Sequence, residues 1–225
     1  AKFTRQEIVE AAVDIARRAP LEAVTAQELA SVLGTSTRPV FTYFRTLEEL
    51  RAAVVEEAGK IYGRYVERGL SMDPPVKGYG METIRFAREE PNLFRLLFLC
   101  RRDTAEFPPT ENHSADIRRA IREPFSLTDA QADELHRHLW IYVHGLCTLI
   151  VTGVNDVPDT EAARLLGEVC RALLIAQRVP PSFRARKLTP GRSASISPSR
   201  IRNKKKREQE NCHAENRTPY QGLRR

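Results

Sequence analysis

No two cysteines in this sequence form a C-x-x-C pair: Cys100, Cys147, Cys170 and Cys212 are scattered singly. That spacing argues against a zinc or dithiol framework and for reduced thiols in a cytoplasmic protein. Long apolar runs are also missing, so a membrane-spanning helix is not expected. The opening stretch, AKFTRQEIVEAAVDIARRA, interleaves charges with apolar residues, unlike the uninterrupted apolar segment of a secretory signal. No segment alternates apolar and polar residues with β-branched enrichment for long enough to suggest a sheet. A nucleophile motif, a phosphate-binding Gly-rich loop and H-E-x-x-H spacing are all lacking, so neither an enzyme nor a bound metal or cofactor is expected.

A surplus of basic residues in the body is lacking too, despite the chain's net charge of +7 and pI near 9.5. Residues 183–225 carry 13 Lys and Arg against 3 Asp and Glu, leaving 23 basic and 26 acidic residues in the rest. The body is therefore slightly acidic, and any nucleic-acid surface on it must be a local patch. The tail, rich in Pro, Ser, Arg and Lys and ending in RIRNKKKREQENCHAENRTPYQGLRR, has almost no periodic apolar positions. It is expected to be disordered and of no defined role, with a non-specific DNA-binding arm as the alternative.

What is present is helical periodicity punctuated by caps. Thr4 with Glu7 forms a capping box before Ile8, Ala11, Ala12 and Ile15, and predicts a first helix to about Arg18. Thr25 with Glu28 opens a short second helix that Gly34 ends. Thr35 or Ser36 is placed to cap a brief third helix, RPVFTYF, with Val40, Phe41 and Phe44 inward. Thr46 with Glu49 begins a long fourth helix carrying Leu47, Leu50, Val54, Ala58, Ile61 and Tyr65. Met72 to Gly80 reads as turn; two shorter helices divided at Pro91 follow, then a loop around Pro108 and Pro109. A helix with Ile117 and Ile121, a long one capped by Thr128 and Gln131, and a last one carrying Leu165, Leu166, Val169 and Leu173 complete an all-α body.

Two short helices joined by a Gly-containing turn, behind a supporting helix, make a tri-helical helix-turn-helix unit. A two-turn helix held by apolar residues on one side leaves its first turn free to enter a major groove. Here that turn offers Thr37, Arg38 and Pro39, with Thr42 and Tyr43 on the outer side, and the amides near Thr25 and Ser36 suit phosphate oxygens.

The segment LASVLGTSTRPVFTYFRTLEEL resembles the head of the TetR/AcrR family of transcriptional regulators, with its Gly-x-Ser turn and following aromatic pair. The resemblance covers roughly residues 3–65. By motif position, the family's DNA-contacting residues correspond to Thr25, Thr35, Ser36, Thr37, Arg38, Pro39, Phe41, Thr42 and Tyr43. Three positions depart from the pattern: Arg38 replaces a small residue, Phe41 a tyrosine, and Leu47 the lysine that opens helix four. PNLFRLLF and LWIYVHGLCTLIVTG resemble a second-half class with a Trp-x-x-x-His-Gly signature. In that class the last two long helices pair in a homodimer, and the preceding helices enclose a small-molecule pocket.

The resemblance implies a homodimeric, ligand-responsive repressor that binds double-stranded DNA at a palindromic operator and releases it on binding an unidentified small-molecule inducer. The expected organisation is a helix-turn-helix head over residues 1–46, a ligand-binding and dimerisation body over 47–179 and a basic tail over 180–225. Phe86, Phe94, Phe98, Trp140 and His144 are the candidate pocket residues; the aromatic ones serve equally well as core. His136, Trp140 and His144 share a helix face, where packing is a better reading than half a metal site. Arg85, Arg88, Arg95, Arg101 and Arg102 are expected to be solvated. The competing reading is a helical small-molecule or protein-interaction module whose helix-turn-helix no longer reads DNA.

Overall fold

The computed structural model describes residues 3–100 and 113–178, which are helical with no strand among them. The chain is all-α. Helix α1 (Arg5–Arg18) begins with the complete Thr4–Glu7 capping box, α2 (Ala26–Val32) with Thr25 accepting from the Glu28 amide, and α3 spans Arg38–Tyr43. The long α4 (Leu47–Leu70) starts from Thr46, whose hydroxyl accepts from the Glu49 amide. Then follow α5 (Pro75–Glu89), α6 (Pro91–Phe94) widening into a π-helical turn over Arg95–Leu99, α7 (Ser114–Phe125), α8 (Asp129–Val151) and α9 (Asp159–Arg178).

The head's core is built where the periodicity placed it. Ile8, Ala12 and Ile15 of α1, Leu29 of α2, Val40 of α3, Phe44 just beyond it, and Leu50 and Val54 of α4 are all buried. Two features of α3 depart from expectation. Neither Thr35 nor Ser36 caps it: the preceding residue is Thr37, already in the helical region and without a side-chain cap bond. Phe41, expected inward, is 53% exposed. On so short a helix the buried side is narrow, and Val40 and Phe44 fill it.

Met72 to Gly80 is not one turn. Pro75, with no amide hydrogen to lose, starts α5, and Gly78 and Gly80 lie within that helix. They serve proximity rather than chain reversal. A Cβ on Gly69 of α4 would meet the Gly78 carbonyl oxygen at 2.7 Å, and one on Gly78 would run into the Gly69 carbonyl. The two helices therefore cross backbone against backbone.

Of the arginines expected in solvent, Arg85 and Arg95 are exposed and Arg88 is half-buried, and each also holds a partner. Arg68 of α4 and Arg85 of α5 both pair with Glu82, a carboxylate only 2% exposed. Arg88 reaches Asp156, Asp159 and the Val157 carbonyl, and Arg95 reaches Asn92 and the Val151 carbonyl. Arg101 and Arg102, the loop around Pro108 and Pro109, and the basic tail lie outside the described residues. Between head and body, Arg17 pairs with Glu90 at 2.9 Å and its carbonyl accepts from the Asn92 side chain at 2.8 Å.

The glycine crossing sets a testable contrast. Gly78→Ala is expected to cost about 1–3 kcal/mol through overpacking. Gly59→Ala, in the same α4 but with nothing within 4 Å of its added methyl group, is expected to stabilise by up to about 1 kcal/mol. Urea unfolding at fixed protein concentration checks both; equal effects would remove the close-contact role of Gly78.

Candidate nucleic-acid interface and effector site

The α2–α3 turn is closed by backbone geometry. Leu33 ends α2, Gly34 follows at φ +59°, and the Thr35 amide donates back to the Ala30 carbonyl at 2.9 Å. Only a residue without Cβ takes that left-handed conformation at little cost. Buried Val40 and Phe44 then pin one side of α3, while Ser36, Arg38, Phe41 and Thr42 are exposed and Thr25, Thr35, Thr37 and Pro39 are half-buried.

Two hydroxyls on this surface are already engaged. Thr42 donates to the Arg38 carbonyl at 3.0 Å, as hydroxyls inside helices commonly do. Tyr43, expected on the outer side, is half-buried, and its phenol donates to the Phe3 carbonyl at 3.0 Å. It ties the segment ahead of α1 to α3 and retains only acceptor capacity toward another partner. Thr25 likewise spends an acceptor position on its own helix, taking the Glu28 amide at 3.1 Å.

One residue escaped the motif comparison. Arg45, just past α3, is exposed and shares a depression of about 450 Å³ with Phe41, Thr42 and Glu49. Its own amide donates to the Glu49 carboxylate at 2.8 Å, which holds the turn into α4. The signal was in the chain: Arg45 stands two residues before Leu47, the position where the family's lysine is missing. Leu47 itself packs partly buried against the core. Residues 35–45 contain two arginines and no acidic residue, although the head as a whole is almost neutral.

The five pocket candidates come together. Phe94 lies 5.0 Å from Phe98 and 6.4 Å from Phe86 between ring centroids, Phe98 meets His144 edge-on at 4.8 Å, and Trp140 stacks on His144 at 3.6 Å. Phe86 and Phe94 are fully buried. A groove of about 570 Å³ elsewhere on the body is lined by none of the five.

His144 Nδ1 faces the Trp140 carbonyl at 2.9 Å. A carbonyl only accepts, so Nδ1 carries the proton of the neutral ring and Nε2 is left as an acceptor. That Nε2 is buried and has no hydrogen-bond partner among the described residues. His136, one turn of α8 before Trp140, contacts the Tyr79 hydroxyl at 3.5 Å. No group of three or more His, Cys, Asp or Glu among the described residues is placed to hold a metal ion.

Burial pushes the pKa of both His136 and His144 down to about 4, against about 6.5 in an unfolded chain. Between those values the unfolded chain binds more protons, so their stabilisation is complete above about pH 6.5 and is lost as pH falls toward 4. From pH 7.5 to pH 5 the loss is expected to be roughly 2 kcal/mol per histidine. A His136→Gln/His144→Gln variant should lose correspondingly less. Equal losses in urea unfolding would show that burial does not hold the two rings neutral.

A family model described as the Tetracyclin repressor-like C-terminal domain matches residues 76–173. An HTH-type transcriptional regulator of Mycobacterium tuberculosis, itself uncharacterized, is 27% identical over 168 residues, covering 72% of this chain and 77% of that protein. A TetR transcriptional regulator from Rhodococcus sp. RHA1, known as a crystal structure, is 18% identical with a TM-score of 0.48, covering 76% of this chain and 96% of its own. No described helix is long and apolar enough to cross a membrane. Residues 76–173 are thus similar to the C-terminal domain of Tetracyclin repressor-like proteins, and the chain as a whole is similar to an HTH-type transcriptional regulator.

Proposed function

We propose that this regulator is a homodimeric, ligand-responsive repressor, with residues 1–46 reading DNA and residues 47–179 dimerising and binding the inducer. The observation that carries the DNA-reading role is the outer face of α3. Arg38, Phe41 and Thr42 are exposed, Arg45 lies beside them, no acidic residue interrupts residues 35–45, and Val40 and Phe44 anchor the opposite side. Arg38 is positioned on the first helical turn to take a base edge or a phosphate. Arg45 supplies a cation close to where Leu47 replaces the family's lysine.

An apolar surface on α8 and α9 supports the homodimer. Ile141 and Leu149 of α8 are 55% and 37% exposed, and Leu165, Val169 and Leu173 run half-buried along α9. Two copies joined there are expected to span successive major grooves about 34–36 Å apart on a palindrome. Support for the inducer site among Phe86, Phe94, Phe98, Trp140 and His144 comes from the unmatched Nε2 acceptor of His144, which suits an apolar ligand bearing one donor. Such a ligand releases DNA only if it binds more tightly to a body conformation whose heads are misplaced for the operator.

Selection from a random DNA pool is expected to enrich one palindrome; enrichment of none would favour the protein-interaction reading. On that palindrome, Arg38→Ala should weaken binding by about 1–3 kcal/mol at fixed salt, with the dimer intact by light scattering. Unchanged affinity would remove Arg38 from the interface. Deleting residues 183–225 should preserve the sequence preference. Loss of the preference would assign the tail a specific role.

A further inference from the structure

The groove that none of the aromatic cluster lines lies between the start of α5, the end of α7, the middle of α8 and α9. Its volume of about 570 Å³ falls in the range that holds a small organic molecule, about 300–1,000 Å³. Leu139, Val143, Leu166 and Leu174 make its wall apolar, while Lys77 and Arg171 stand exposed at its edge.

The charges at that edge are unequal. Arg164, which also borders the groove, is neutralised by Glu161 and Glu168, each at 2.6 Å. Lys77 and Arg171 take part in no ion pair among the described residues, and no acidic side chain lines the groove. Lys77 also lies in the first turn of α5, a fifteen-residue helix whose N-terminal end adds to the positive field. An apolar trough bordered by two cations without an ion-pair partner among the described residues complements a molecule with an apolar body and an anionic end.

We propose that this groove is a binding site for a small amphipathic organic anion such as a carboxylate, separate from the aromatic cluster around His144. The apolar body lies along Leu139, Val143, Leu166 and Leu174, and the anionic end meets Lys77 and Arg171. None of the α9 residues that line it is among those proposed above for the dimer surface, Leu165, Val169 and Leu173. It also adjoins the glycine crossing, because Lys77 precedes Gly78, the residue on which α5 rests against α4.

The probes are decanoate and 2-naphthoate, each below any micelle-forming concentration, with decanol and 2-naphthol as uncharged counterparts. Titration calorimetry on the full chain is expected to show at least one acid binding about fivefold or more tighter than its alcohol. Lys77→Gln/Arg171→Gln should bring that ratio to about one, while His144→Gln leaves it unchanged. In a Cys100→Ser/Cys212→Ser background, the bound acid should slow maleimide labelling of Cys170, which borders the groove. Labelling rate does not depend on DNA, so a bound acid that leaves operator affinity unchanged still supports the site. Binding by neither acid, acids binding no tighter than alcohols, an unchanged ratio in the double variant, or unaltered Cys170 labelling would each overturn it.

Discussion

Helix α4 must satisfy the head at one end and the body at the other, and the rest of the molecule is arranged around that demand. At its start Leu50 and Val54 are buried with the head core. At its far end Gly69 touches Gly78 of α5, backbone to backbone. Packed interiors tolerate little local deformation. A displacement of α5 would therefore bear on α4 directly at the glycine crossing. The Arg17–Glu90 pair and the Asn92 bond to the Arg17 carbonyl give the head a second attachment near α6. A ligand in the body influences the head to the extent that it prefers one arrangement of these contacts over another.

The α4–α5 interface is also where the protein buries polar groups, and it does so in satisfied sets. Glu82 is out of solvent but receives both Arg68 and Arg85, so removing one arginine would leave a poorly compensated buried charge. Tyr62 meets Thr83 at 3.3 Å, and burial pushes the tyrosine pKa up to about 12. Such sets fix the register of helices whose apolar faces alone tolerate sliding. His144 differs, because its second nitrogen faces an aromatic environment without a donor among the described residues.

Recognition of DNA by an almost neutral head calls for a few well-placed contacts rather than a broad positive field. Helix α3 is only six residues long, and its narrow buried side leaves Arg38, Phe41 and Thr42 outside, the residues proposed above for that role. Tyr43, bonded to the Phe3 carbonyl, ties α3 to the segment ahead of α1.

Residue order alone determined the helical class, the caps at Thr4, Thr25, Thr46 and Thr128, the left-handed Gly34 turn and the helix-turn-helix spacing. These are local matters, decided within a turn or two of backbone by side chains that either do or do not satisfy free amides. The apolar stripe of α4 was equally legible, since a 3.6-residue period is written in the chain itself. Tertiary structure decided the rest. The outward aim of Phe41, the inward bond of Tyr43, the pairing of Arg68 and Arg85 on Glu82, and the use of Gly69 and Gly78 as a crossing depend on residues brought together from distant elements. The groove beside Lys77 and Arg171 belongs with them: its walls come from four helices, and no local pattern records what packed surfaces leave empty.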